Sequence, residues 1–296
     1  MKKSMKCFMV LVVIIVLVLN GCGRKNSHVK ETDSDGIDKE MAYDVPIKIS
    51  IDAECTIDLN NDGDSDTVIY TLSSKEPYVG NITSFKVNGV EYVDKLIELG
   101  IYMNNPNWEW YYIVDIDESD NFKEIAILDE GPSDDPETYF IRFDGDKLQY
   151  IGSITDFPQK SSCQFNGDGT IVASSRLNIL QTWWAPATWK IDENGLLQKV
   201  KDDMYFPYEQ TDKDSLQPIL LKDFMIYTEP NIEAKQVMVS ANNQVTFKST
   251  DNIHWVFMRS EDGTEGWFYM ENFSDILYED KVVESTSIFD NLSIYD

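Results

Sequence analysis

From about residue 43 the chain alternates apolar and polar side chains with the two-residue period of half-buried strands. Val45 to Ile51 alternates in this way, as do Ser84 to Tyr92, Tyr139 to Phe143 and Thr188 to Ile191. Asn88-Gly89, Asp144-Gly145 and Asn194-Gly195 punctuate these runs, and such pairs suit tight hairpins. No long stretch of helical periodicity follows, so the expected class is all-β.

Two segments break the pattern. Phe8 to Leu19 is an unbroken apolar run of 12 residues behind Lys2, Lys3 and Lys6. It is short for a bilayer span and has the length of an export-signal core. The run closes in Leu19-Asn20-Gly21-Cys22, which resembles the bacterial lipobox. That resemblance implies cleavage after residue 21, a lipid on Cys22 and a protein held on the extracytoplasmic face of the cell membrane. Residues 23–40 are polar, charged and without periodicity, and read as a flexible tether.

The strand pattern also repeats. TSFKVNGVEYV, TYFIRFDGDKLQYIG and ATWKIDENGLLQKV each read as strand, glycine turn, strand, with turn glycines Gly89, Gly145 and Gly195. Acidic loops running into strands precede the first two, DLNNDGDSDTVIYTL and DIDESDNFKEIAIL, with a weaker counterpart in FNGDGTIVASS. In the first loop, oxygen-bearing side chains fall at alternate positions: Asp58, Asn60, Asp62, Asp64 and Asp66, with Gly63 at the sharpest turn. Calcium takes six to eight oxygens at relaxed geometry, and alternate carboxylates on a curled loop supply them. An EF-hand is excluded, because its twelfth position would be Ile69. The loop resembles the calcium loop of FG-GAP and VCBS repeats, which form β-propeller blades. The resemblance implies one calcium, with side chains from Asp58, Asn60, Asp62 and Asp66 and a main-chain oxygen from Asp64. The second loop departs from the pattern. Asp115 and Asp117 match, Ser119 replaces the third acid, the glycine is absent, and Glu124 closes the loop one residue late. Three blades are visible, and a fourth is expected from residues 43–57 with 170–185 if the ring closes.

Residues 220–280 carry a different pattern. WVFMR, EDGTEG and WF form an alternating strand, an Asp-Gly turn and an aromatic strand. With Phe224 to Pro230 and the strands between, this resembles a bacterial SH3-type (SH3b) domain, although Tyr227 stands where that family usually has arginine. The resemblance implies a small closed barrel that binds cell-wall peptidoglycan or a surface protein, with Tyr227, Trp255, Trp267 and Tyr269 as candidate ligand contacts. The chain thus divides into a signal over 1–21, a tether over 22–42, a propeller-like repeat domain over 43–212, an SH3-like module over 217–282 and a tail over 283–296.

Charge narrows the partners. Removing residues 1–21 takes three of the 25 cations and no acid, leaving 22 against 52 carboxylates, a net charge of −30. A surface so acidic opposes nucleic-acid binding, which depends on cationic contacts to phosphate. Cys55 and Cys163 remain after the signal and the lipidated residue are set aside, as one disulfide or two buried thiols. Trp108, Trp110 and Tyr112 alternate on one face, and Trp183, Trp184 and Trp189 flank Pro186. Both groups fit sugar platforms or packing between sheets, and packing is the reading taken here. With only His28 and His254 in the chain, a histidine triad or zinc site is not expected, so the function expected is non-catalytic binding. The alternative is an exported hydrolase or glycosidase using a carboxylate pair that no motif singles out.

Overall fold

The structure, a computed structural model, describes residues 28–32, 38–42, 46–73, 82–101, 103, 106–107, 109–131, 136–208 and 216–294. The signal segment, Cys22 and Trp108 lie outside these residues. The protein is all-β, built of several antiparallel sheets. No described helix is long and apolar enough to cross a membrane.

β1 (His28–Thr32) and β2 (Asp38–Ala42) pair as a hairpin. Both fall in the segment read as a tether, so the structure puts strands there. β3 (Ile47–Ser50) turns at Asp52, which has a φ of 70°, into β4 (Glu54–Ile57). β5 (Asp66–Leu72), β6 (Ile82–Val87) and β7 (Val90–Glu91) continue from β4 as a meander, and β1 pairs with the other side of β4. After the short helix α1 (Val93–Glu98) comes a second meander of β8 (Trp110–Val114), β9 (Glu124–Asp129), β10 (Glu137–Phe143) and β11 (Leu148–Ile154). A third is formed by β12 (Gln164–Phe165), β13 (Thr170–Ile179), β14 (Gln181–Ile191) and β15 (Leu197–Lys199). The fourth unit expected from 43–57 and 170–185 is not formed among the described residues. β3 adds to the edge of β8, β4 opens the first sheet and β13 belongs to the third.

Burial follows the alternation. The second sheet is covered on both sides, so β9 is buried at every position. Tyr111, Ile113, Ile125, Ile127 and Ile141 face the first sheet, where Val68, Tyr70 and Phe85 meet them. Tyr112, Val114, Ala126, Leu128 and Phe140 face the third, against Ile171, Ala173, Trp183 and Trp189. Each fully buried aliphatic side chain here stabilises the fold by about 1.5–3 kcal/mol relative to exposure.

The C-terminal part contains β16 (Ile219–Leu220), β17 (Phe224–Tyr227), β18 (Gln236–Val239), β19 (Val245–Thr250), β20 (Trp255–Ser260), β21 (Glu265–Tyr269), β22 (Asp275–Tyr278), β23 (Lys281–Glu284) and β24 (Phe289–Asp290). Five of these form one sheet in the order β18-β17-β21-β20-β19, with ribbons β16-β24 and β22-β23 beside it. The closed barrel expected here is not formed, because β18 and β19 are the two edges of an open sheet. The edge of β19 is occupied instead: Tyr205 and Thr250 exchange main-chain hydrogen bonds of 2.7 and 3.0 Å, and Val245 N–H donates to the Pro218 carbonyl. The segment read as a tail is part of this core, with Ile288 and Phe289 buried against Phe224, Phe247 and Phe268. That core is continuous with the one under the third sheet, through Trp183 on Phe247.

Candidate functional site

The three acidic loops lie side by side, each joining the first two strands of a meander. Lys123 N–H donates to the Leu59 carbonyl at 2.8 Å, tying the second loop to the first. Glu118 N–H donates to Gly167 O and Gly169 N–H to Ile116 O, both at 2.9 Å, tying it to the third.

The first loop curls on its own side chains. Asp58 Oδ2 accepts the Gly63 N–H at 3.1 Å, Asn60 Oδ1 accepts Asp62 N–H, and Asp62 Oδ1 accepts Asp64 N–H. Gly63 sits at a φ of 95°, where a side chain would be strained. Asp66, the first residue of β5, is buried with both oxygens engaged: Oδ2 takes Leu59 N–H and Oδ1 takes Asn88 Nδ2. It therefore clasps the loop, and the carboxylates left facing solvent are Asp62 and Asp64. Asp58 Oδ1 is shielded from solvent and has no hydrogen-bond partner. A shielded, orphaned carboxylate oxygen is a feature a bound cation would relieve. Among the described residues, no three His, Cys, Asp or Glu side chains converge as a ready metal cluster. A calcium here would draw on Asn60 and main-chain oxygens as well.

The second loop closes the same way with a different chemistry. Glu124, the first residue of β9, accepts the Ile116 N–H as Asp66 accepts Leu59 N–H. Its other oxygen takes Arg142 Nε at 2.7 Å, and the same guanidinium reaches Asp120 at 2.8 Å. Glu124 is wholly buried and Arg142 nearly so, with the Phe122 ring 5.0 Å from the guanidinium carbon. Burial pushes Glu124 up, Arg142 offsets part of the rise, and the carboxyl is left at about 7. Burial likewise pushes Asp115 up to about 6, and its Oδ1 has no partner. Asp117 is spent on the N–H and hydroxyl of Ser119. The expected second ligand set of Asp115, Asp117, Ser119 and Glu124 is thus divided between an internal ion pair and a turn. Arg142 was missed in the sequence, although a cation inside the apolar strand TYFIRF was its signal. In the third loop Asp168 only holds Thr170, as a turn residue.

The aromatic candidates meet on the C-terminal sheet. In β20 and β21, Val256, Met258, Gly266 and Phe268 face the core, which turns Trp255, Phe257, Trp267 and Tyr269 to the outer face. These rings pair across the strands, Trp255 opposite Tyr269 at 5.4 Å and Phe257 opposite Trp267 at 5.0 Å. All four are half-buried. Tyr227, opposite Trp267 on the neighbouring strand, shares this face but is 6% exposed, packed edge-on against Trp255. His254 stacks on Tyr269, and its Nδ1–H donates to the Met270 carbonyl at 2.9 Å. Phe257 was absent from the candidates, though it stands two residues from Trp255 on the same strand face. Beside this ladder an apolar cavity of about 320 Å³ is lined by Met204, Phe206, Lys248, Ser249, Phe257 and Trp267. No sequence signal marked Met204 or Phe206, which lie in an irregular segment.

Among the described residues, the other tryptophans are packing residues except for Trp184. Trp183 and Trp189 are buried, and Trp110 packs on the same core under Lys48 Nζ, 3.1 Å from its ring centre. Trp184 points the other way, into a small polar cavity with Asp156, Lys160 and Ser162. Cys55 and Cys163 are reduced thiols buried in different cores, so the disulfide alternative is not realised. Compared with models of protein families, with curated proteins and with solved structures, the chain matches none.

Proposed function

We propose that the protein is a non-catalytic binding lipoprotein, anchored by a lipid on Cys22 at the outer face of the cytoplasmic membrane, that binds cell-wall peptidoglycan. In this reading the three meanders are blades of an open propeller-like domain with calcium in the first loop. The C-terminal sheet is an SH3-like module that carries the ligand. The observation behind the binding role is the half-exposed ladder of Trp255, Phe257, Trp267 and Tyr269. Natural proteins seldom leave aromatic rings contiguous and open on one sheet face without a partner. The order of four strands per meander, each with its loop at the same end, supports the blade reading.

Retention of the exported chain on purified peptidoglycan tests the role. The wild type is expected to be retained, and Trp267→Ala to lower retention by roughly tenfold, the scale of one aromatic anchor. No retention, or equal retention of both, would overturn it, and capture of a surface protein instead would redirect the same face to a protein ligand. Cys22→Ala is expected to abolish fatty-acid labelling, and unchanged labelling would remove the anchor.

A further inference from the structure

The cavity beside the aromatic ladder differs from the ladder in one respect, its charge. Its walls are Met204, Phe206, Phe257 and Trp267, its floor includes the buried Ser249, and Lys248 stands at the rim. Two cations share this region of the sheet. Arg259 pairs with Glu265 across the strands at 3.7 Å. Lys248 makes no ion pair and lies over no ring among the described residues. In a chain of such acidity, an uncompensated ammonium beside an apolar slot selects for an anion.

The slot is also held in shape. Tyr205 is locked to Thr250 by two main-chain hydrogen bonds and is itself buried. Met204 and Phe206, its neighbours on either side, are thereby carried to the cavity side of β19. Phe206 is 64% exposed, a large apolar cost in water unless something covers it. A preformed site loses little entropy on binding.

We propose that this slot binds the carboxyl end of a peptide, the last side chain inserted between Phe206, Phe257 and Trp267 and its α-carboxylate on Lys248. The proposal rests on the binding role above and specifies the chemistry of its ligand. Size and spacing both point to a terminal residue. A volume of 320 Å³ is at the small end for ligand sites, enough for one or two residues. Because the ammonium lines the same cavity as the rings, the ligand must carry its charge next to its apolar group. An α-carboxylate beside a side chain does this within a single residue, and the carboxylate of a longer acidic side chain does not.

The test uses the full exported chain and three probes: N-acetylphenylalanine, its amide and N-acetylalanine. Binding is followed by methyl NMR at Met204. The acid is expected to bind roughly fivefold tighter than the amide, the scale of one partly exposed ion pair. N-acetylalanine, with little to insert, is expected to bind weakest. Lys248→Gln should erase the difference between acid and amide while leaving amide binding intact. Phe206→Ala, at an exposed position that does not threaten folding, should weaken acid and amide together. Equal binding of acid and amide by the wild type, a preference that survives Lys248→Gln, or no saturable shift at Met204 overturns the proposal. Wall retention that depends on Trp267 in the face of such a result leaves the binding role standing and removes only this ligand. Loss of both removes both.

Discussion

The first and second acidic loops are built on one plan and neutralised in two ways. Each leaves the first strand of its meander, curls on its own carboxylates and is clasped by the acid that begins the next strand. In the first loop the clasp, Asp66, is held by the neutral amide of Asn88. In the second the clasp, Glu124, is held by the cation Arg142. The second loop therefore carries a buried guanidinium on its clasp, whereas the first presents the exposed Asp62 and Asp64 and has the Lys123 ammonium against its Asp58 carbonyl. Each loop keeps one shielded carboxylate oxygen without a partner, on Asp58 and on Asp115. A strand position decides which occurs: Arg142 projects from β10 toward its loop, and β6 offers no guanidinium. Two loops of one backbone plan can thus differ in the charge that holds their clasps.

The largest expected effect comes from removing the internal cation. Arg142→Met leaves Glu124 buried without its partner, and breaking such a pair costs about 3–5 kcal/mol. Denaturant unfolding would measure it. The pH dependence has a definite sign. Glu124 is raised above its ordinary value of 4.5, so its charge opposes folding as the pH rises through about 7 and ceases to matter below 4.5. Without Arg142 that penalty grows, so the deficit of Arg142→Met against the wild type should be larger at pH 8 than at pH 5. An equal deficit at both pH values would mean that the lost contribution is packing against Phe122 and not charge.

The next effect concerns the loop whose clasp has a neutral partner. Calcium is expected to raise the melting temperature of the wild type. At a hundred times its dissociation constant it would add about 2.7 kcal/mol. Asp58→Asn should lose this response and keep its calcium-free stability within about 0.5 kcal/mol, since the amide can still accept from Gly63. No shift in the wild type at millimolar calcium would leave the first loop as an acidic turn, and the contrast between the loops would then be one of hydrogen bonding alone.

Much of this contrast was legible before any coordinates. The spacing of Asp58, Asn60, Asp62 and Gly63 located the first loop, and the glycine turns located all three meanders, because loop and hairpin chemistry is local. Arg142 as a partner of Glu124 was not legible, since the two meet only when β10 pairs with β9. The same limit applies to the ligand face. Alternation placed Trp255, Trp267 and Tyr269 together, and the pairing of β17 with β21 sets Tyr227 opposite Trp267 on the same face, where the Trp255 ring covers it. The slot owes Met204 and Phe206 to a bridge between Tyr205 and Thr250 that no periodicity announces. The barrel failed for the same reason, as the edge of β19 was taken by chain from outside the module.

The smallest effect tests whether the two loops act on each other. Besides the main-chain bond from Lys123 to Leu59, two side-chain contacts join the loops: Lys123 Nζ donates to the Asp58 carbonyl at 3.4 Å, and Asn61 Nδ2 donates to Asn121 Oδ1 at 3.2 Å on the exposed rim. Neutral exposed hydrogen bonds of this kind contribute about 0.5 kcal/mol once exchange with water is counted. A double-mutant cycle of Asn61→Ala and Asn121→Ala isolates it from the intrinsic cost of each residue, which matters because Asn61 holds a φ of 55° that alanine resists. In the calcium-free protein the coupling should be near 0.5 kcal/mol. If calcium fixes the first loop, the contact is held in place and the coupling should rise; a coupling indifferent to calcium would mean that the ion, where it binds, acts on the first loop alone.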